Sequence, residues 1–269
     1  HLQCDIHPLP ILSQKQRDGK GLMAASPHRQ KYLARRAPGP GDLAACLALR
    51  AKVFRSGGGQ ADDADAFAPI CDHIMVERLQ DHALVCCFRY LILDDGAALD
   101  KAYSAQFYEL SALKGFQGTL AEMGRFCVAD GVQDPDVLRV AWAGMARVVE
   151  ERGVDLIFGC SSFQGTDEKQ YYDTFAMLRD RHIGPKRWLP RIKAPRVFEF
   201  ARRLGKTADP KVGLRMMPPL LRTYLLMGGW VSDHAVVDRD LGTLHVFTGV
   251  EVKAIPPARR RSLLAGTPG

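Results

Sequence analysis

Two of the most apolar runs in this chain carry charge at places where a strand would bury it. Arg89 sits inside residues 83–93, and Glu122 and Arg125 interrupt residues 121–128. A charge taken out of water is costly unless it is paired or used. Asp62, Asp63, Asp65 and the run Cys71-Asp72-His73 join them within fewer than eighty residues. This concentration points to a functional cleft in which chemistry is done.

The chain has 269 residues, 46% of them hydrophobic, enough for a sizeable core in one large domain or two small ones. No run approaches the roughly 18 uninterrupted apolar residues of a spanning helix. The amino-terminal residues lack a basic region followed by an apolar stretch, and Pro8 and Pro10 break the weak candidate, so the expected location is cytoplasmic. Seven cysteines with no CxxC spacing fit reduced core thiols better than disulfides or zinc. The first methionine is Met23, and residues 1–29 are expected to be a leader or disordered segment without functional weight.

Pro38-Gly39-Pro40-Gly41 is a turn-rich break before a helix over residues 43–54, with Asp42 as its expected N-cap and Gly57-Gly58-Gly59 as its end. Residues 73–79 and 84–93 read as a strand hairpin, 107–113 as a short helix, and 121–128 as the next strand. Alternation in that last strand fails at Gly124. A bulge there would change the face of the following residues and let Glu122 and Arg125 reach one cleft. Asp134-Pro135-Asp136 is a helix start, and Leu138, Trp142, Met145 and Val149 form the buried stripe that follows.

Residues 155–160 read as a buried strand, 197–204 as an amphipathic helix, and Pro218-Pro219 as the start of a helix through Met227. Two strands, near 235–237 and 244–250, precede a Pro- and Arg-rich tail at 256–269. The element order predicts an α/β (α+β) domain over residues 30–255, with a mainly antiparallel sheet flanked by helices.

Several chemistries lack their patterns. There is no HExxH, EF-hand or CxxC spacing for a metal. Residues 159–163 do not form a GxSxG elbow, so Ser161 and Ser162 read as structural hydroxyls. Neither GxxxxGK[ST] nor a placed GxGxxG is present, which disfavours an ATP-driven reaction. The formal charge of +7 is concentrated: residues 186–222 hold eleven Lys or Arg against Glu199 and Asp209. Such a stripe steers acidic partners or is simply a solvated face, and it lacks a nucleic-acid-binding motif.

The words Leu49-Arg50-Ala-Lys-Val53-Phe54, Asp65-Ala-Phe67, Cys71-Asp72-His73-Ile74-Met-Val76, Phe88-Arg89-Tyr90-Leu91, Glu122-Met-Gly-Arg125-Phe-Cys127-Val128 and Pro218-Pro219-Leu220-Leu221-Arg-Thr-Tyr224-Leu225 occur in this order. From about residue 30 to 255 the chain thereby resembles the ornithine N-acyltransferases of ornithine-lipid synthesis. That family is related to the acyl-homoserine-lactone synthases, within the GNAT superfamily. The resemblance implies a GNAT-like fold with a basic helical insertion around 186–222. It also implies transfer of a fatty acyl group, typically 3-hydroxylated, from an acyl carrier protein thioester to the α-amine of L-ornithine.

No bound cofactor or metal is implied, because the donor is the carrier's phosphopantetheine thioester. An amine with a pKa of roughly 8 is largely protonated at neutral pH, so a base is needed. Glu122 is the candidate base, with Arg125 beside it or paired to it. Arg50, Arg89 and Arg125 are candidates for the acceptor's carboxylate, and Asp65 and Asp72 for its side-chain ammonium. Alternatively, these acids and arginines pair with one another and brace the acidic loop. His73 reads equally as a base and as a structural histidine.

Lys186, Arg187, Arg191, Lys193, Arg196, Arg202 and Arg203 would dock the acidic carrier or rest peripherally on an anionic inner membrane; no nucleic-acid partner is expected. Residues 55–60 depart from the family pattern, and no pyrophosphate loop is evident between Val128 and Val137, which favours a carrier-protein donor. The rival readings are a lactone synthase using S-adenosylmethionine, an N-acyltransferase for glycine or lysine, and a basic surface-binding protein without activity.

Overall fold

The computed structural model describes residues 30–55, 63–205 and 208–264, and of Ser262 and Leu264 only the backbone. Asp62 and Gly57-Gly58-Gly59 lie outside the described residues. In chain order come β1 (Tyr32–Arg36), α1 (Pro40–Phe54), β2 (Asp72–Arg78) and β3 (Leu84–Leu93). A series of 3-10 turns over residues 96–106 leads to β4 (Tyr108–Glu109) and β5 (Thr119–Val128). Then follow α2 (Pro135–Arg152), β6 (Val154–Gln164), α3 (Tyr172–Arg181), β7 (Arg191–Ile192) and β8 (Val197–Phe198). Helices α4 (Phe200–Arg203), α5 (Pro210–Met216) and α6 (Pro219–Leu226) precede β9 (Trp230–Asp238), β10 (Thr243–Glu251) and α7 (Pro257–Leu264).

Eight strands form one sheet in the order β1-β2-β3-β5-β6-β10-β9-β8. Every neighbouring pair is antiparallel except β5 with β6. The α/β architecture and mainly antiparallel sheet expected from the sequence are therefore present. α2 starts where Asp134 caps it, its side chain accepting from Asp136 N at 3.0 Å, and stops at Gly153, whose φ of 61° a Cβ would strain. Its buried stripe, including Trp142 and Met145, packs on Ile74, Phe88, Tyr90 and Met123 of the sheet. Burying each such large side chain contributes about 1.5–3 kcal/mol. On the other face, Cys46 and Leu49 of α1 meet Met75, Cys87 and Cys127. Four of the six described cysteines, Cys46, Cys86, Cys87 and Cys127, are thus buried core thiols, and all six are free.

Three local expectations are corrected. α1 begins at Pro40 after Gly39 with no side-chain cap; Asp42 lies in its first turn, held by Arg35 Nη1 at 3.0 Å and Nη2 at 2.8 Å. Residues 107–113 contain β4 and a 3-10 turn rather than a helix, because Tyr108 and Glu109 pair with Ile192 and Arg191 of β7. Residues 197–204 split into β8, paired to Val236 and Ala235 of β9, and the short α4. The segment 186–222 accordingly holds β7, β8, α4, α5 and the start of α6.

Candidate active site

The cleft is made where two parallel strands part. β5 and β6 pair from Thr119↔Val154 to Glu122↔Phe158, and no further. β6 continues along β10 as far as Gln164↔Thr243, while β5 stays with β3 to Val128. Gly159 lies at the fork: a Cβ there would stand 2.2 Å from the Met123 carbonyl oxygen, so only glycine permits this approach. Beyond the fork opens a cavity of about 440 Å³ lined by Arg89, Glu122 and Arg125 at one side and by Met123, Leu220 and Tyr224 at another.

The expected bulge is the device that brings Glu122 and Arg125 together. Arg89 pairs with Gly124 and Cys87 with Cys127, which leaves Arg125 and Phe126 opposite Phe88 alone. The residue that takes the left-handed conformation is Arg125, with φ 52°, rather than the glycine before it. This costs about 1–2 kcal/mol for an L-residue, which the contacts of its guanidinium must offset.

Those contacts form a buried arginine–aspartate cluster. Arg50 is wholly buried and donates from Nε at 3.0 Å and Nη2 at 2.8 Å to Asp63 Oδ2. Arg55 Nε donates to Asp63 Oδ1 at 3.0 Å, and Arg125 Nε lies 3.0 Å from Oδ2. Asp65 accepts from Arg89 Nη1 at 2.6 Å and more distantly from Arg125 Nη2 at 3.4 Å; its Oδ1 also accepts from the Phe67 and Ala68 N–H groups. Burial alone would raise both carboxyls, but Arg125 and Arg50 beside Asp63, and Arg89 beside Asp65, hold them below the ordinary carboxylate range. The Tyr103 ring lies 5.5 Å from the Arg89 guanidinium and 5.0 Å from that of Arg125.

Glu122 is buried and belongs to a different network. Its Oε2 accepts from Tyr103 N at 2.7 Å, and its Oε1 from Ser104 N at 2.7 Å and Ser104 Oγ at 2.6 Å. Burial raises its pKa, and the Ser104 and Tyr103 donors offset only part of that. His73 meets Arg50 Nη1 at 3.5 Å, and burial together with the Arg50 and Arg89 charges lowers it to about 4, so it is a neutral structural ring.

The structure thus brings Arg89, Glu122 and Arg125 to the cavity. Arg50 and Asp65 do not line it. Asp72 is set apart: it pairs across strands with Tyr90, whose side chain packs on the α2 face, while Arg89 and its partners occupy the other. The seven basic residues from Lys186 to Arg203 are all exposed. Of these, Arg187 is 3.7 Å from Glu251, Arg202 and Arg203 pair with Glu199, and Lys193 donates to the Ala105 carbonyl.

Residues 49–143 match the acetyltransferase (GNAT) domain family. The L-ornithine N(alpha)-acyltransferase of Rhodobacter capsulatus is 30% identical over 254 residues, covering 88% of this chain and 96% of that one. The chain belongs to this family. The L-ornithine N(alpha)-acyltransferase of Brucella abortus is 28% identical over 201 residues, covering 72% of this chain and 71% of that one. Among solved structures, FeeM, an N-acyl amino acid synthase from uncultured soil microbes, is similar at a TM-score of 0.49 and 12% identity, covering 84% of this chain and 94% of that one.

In this member of the L-ornithine N(alpha)-acyltransferase family, an acyltransferase, sequence reasoning missed Tyr103 and Ser104. They lie in a turn without periodicity, and only the hydrogen bonds to Glu122 reveal them. It also missed Asp238, Thr243 and His245, which line the β9–β10 end of the cavity more than a hundred residues along the chain from Glu122. An acid at the end of an apolar strand, as in Val236-Val237-Asp238, is the one signal that could have singled out that end.

Proposed function

We propose that this protein transfers a fatty acyl group, typically 3-hydroxylated, from an acyl carrier protein thioester to the α-amine of L-ornithine, the first step of ornithine-lipid synthesis. The observation that carries the reading is the fork between β5 and β6, where a buried carboxylate, Glu122, and two guanidinium groups, Arg89 and Arg125, line one cavity. The acceptor's carboxylate would lie against Arg89 and Arg125. Arg125's terminal nitrogens make only 3.4 Å contacts to Tyr103 and Asp65, and can shift to a better partner.

Glu122 takes the proton of the α-ammonium, directly or through water. Three donors occupy three of its roughly four lone-pair sites, so one remains, and its raised pKa brings it nearer the operating pH of a base. The neutral amine then attacks the thioester carbon, and backbone N–H groups exposed at the fork stabilise the oxyanion. Collapse expels the carrier's thiolate, which takes up the proton that the new amide nitrogen loses. A covalent acyl-enzyme is disfavoured, because burial pushes the two cavity thiols up, Cys71 to about 11 and Cys160 to about 12.

The exposed bases from Lys186 to Arg203 would dock the acidic carrier or an anionic membrane surface from the cytoplasmic side. The described residues contain no helix long and apolar enough to cross a membrane.

The test is thiol release from a 3-hydroxyacyl carrier protein, with ornithine, lysine, glycine and S-adenosylmethionine offered separately. Ornithine-dependent release that falls about 10²- to 10⁴-fold in Glu122→Gln with an unchanged fold is expected. Release with S-adenosylmethionine alone would replace the reading by lactone synthesis, and absence of release with every acceptor would leave a basic surface-binding protein.

A further inference from the structure

The β9–β10 end of the cavity carries acceptors that are unsatisfied or only partly satisfied. Asp238 closes β9 and Thr243 opens β10 directly opposite it; His245 follows two residues later on the same face. All three line the cavity. Asp238 is only 6% exposed, and its Oδ1 accepts from Asp240 N at 3.0 Å and Leu241 N at 3.1 Å, which fixes the hairpin turn. Its Oδ2 has no protein partner among the described residues. Thr243 Oγ1 and His245 Nε2 are both buried without a hydrogen-bond partner. A buried polar group left unsatisfied costs about 1–3 kcal/mol, so Thr243 Oγ1 and His245 Nε2, beside the spare carboxylate oxygen of Asp238, call for an occupant.

The tautomer of His245 follows from its neighbour. The Tyr108 hydroxyl donates to the His245 carbonyl at 2.9 Å and lies 3.0 Å from Nδ1. With its one hydrogen committed, that hydroxyl can only accept from the ring, so Nδ1 carries the proton and Nε2 presents a lone pair. Burial, with His234 nearby, lowers the ring to about 3, so it does not repel a cation.

We infer that Asp238, Thr243 and His245 form a subsite for the side-chain ammonium of the acceptor amino acid, and so determine its specificity. An alkylammonium brings three N–H donors and one positive charge; the site offers a carboxylate oxygen, an imine nitrogen and a hydroxyl oxygen. The two acids that the sequence put forward for this group are otherwise placed, since Asp65 is held by Arg89 and Asp72 lies on the opposite face of the sheet. Arg55, directly after α1, joins the β9–β10 turn to the arginine–aspartate cluster, bridging Asp63 at 3.0 Å and Asp240 at 3.5 Å. The subsite rests on the amino-acid acceptor proposed above, and deepens it by naming what selects a diamino acid.

The experiment compares L-ornithine with L-norvaline, which has the same carbon chain without the terminal amine. Binding is measured by calorimetry and acylation by thiol release. The wild-type protein should prefer ornithine by about 10- to 100-fold, as expected for a charged hydrogen-bonded contact. Asp238→Asn, which keeps the oxygen that caps the turn, should bring that ratio to within about threefold of unity. If thermal melting shows this variant misfolded, Thr243→Val removes only an unpartnered hydroxyl and should lower the same ratio to a smaller extent. Equal binding of the two amino acids by the wild type, or an undiminished preference in the folded variants, overturns the subsite while acylation of ornithine keeps the enzyme reading intact. Neither binding nor acylation of ornithine would remove both.

Discussion

The arginine–aspartate cluster beside the cavity and the β9–β10 end of the cavity bury polar groups in opposite ways. Beside α1, Asp63 meets Arg50, Arg55 and Arg125, and Asp65 meets Arg89 and Arg125, so each acid faces more than one cation. Beneath the β9–β10 turn, Asp238 Oδ2, Thr243 Oγ1 and His245 Nε2 meet no donor among the described residues, although Asp238 Oδ1 caps the turn. Charge alone therefore does not distinguish binding groups from bracing groups. Arg50 is enclosed by its partners and away from the cavity, whereas Asp238 Oδ2, Thr243 Oγ1 and His245 Nε2 are open to the ligand proposed above.

The largest effect should come from breaking the arginine–aspartate cluster. Asp63→Ala leaves Arg50, which is wholly buried, without its ion pair, and such a loss costs about 3–5 kcal/mol. Urea unfolding of the folded variant measures it, and a loss below about 1 kcal/mol would show that the cluster does not brace the domain.

A smaller effect concerns pH. His73 is held neutral at the edge of the same cluster, with its pKa lowered to about 4 from an ordinary value near 6.5. Its contribution to stability is complete above pH 6.5 and is lost as the pH falls through 4, because the unfolded chain takes up the proton first. Urea midpoints should fall across that window by roughly 1–3 kcal/mol in stability, and His73→Gln should flatten the fall. His245, lowered to about 3, adds a loss that begins in the same window and continues down to about pH 3. An identical slope in the variant would detach His73 from the cluster.

The smallest effect marks the boundary of the site. Asp72 is exposed on the α2 face, so Asp72→Asn should change stability by no more than about 0.5 kcal/mol and leave the KM for the acceptor unaltered. A clear rise in KM would extend the site around the edge of the sheet.

Much of the scaffold could be read from local pattern. The β2–β3 hairpin, β5, α2 with its Asp134 cap, and the terminal strands β9 and β10 all lie where alternation, helical spacing and turn residues place them. The break in alternation at Gly124 correctly signalled a bulge, although Arg125 rather than Gly124 takes the strained backbone. The short elements were less legible. β4, β7 and β8 are two-residue strands whose only cause is a partner distant in sequence, as Tyr108 with Ile192 and Val197 with Val236 show. No window of local sequence contains that partner.

The sequence by itself determined where charge interrupts apolar strands, at Arg89, Glu122 and Arg125, because such a charge must be paired or used. Only the tertiary structure decided which charges are enclosed by partners and which face the cavity. Arg50 and Arg89 look alike in sequence, yet one is sealed against Asp63 and the other lines the cavity. Asp72 and Asp238 each stand at a strand end, yet strand pairing turns one to the α2 face and the other to the cavity. Side chains alternate between faces along a strand, so a single step of register decides where a charge points, and register is set by partners that may lie a hundred residues away.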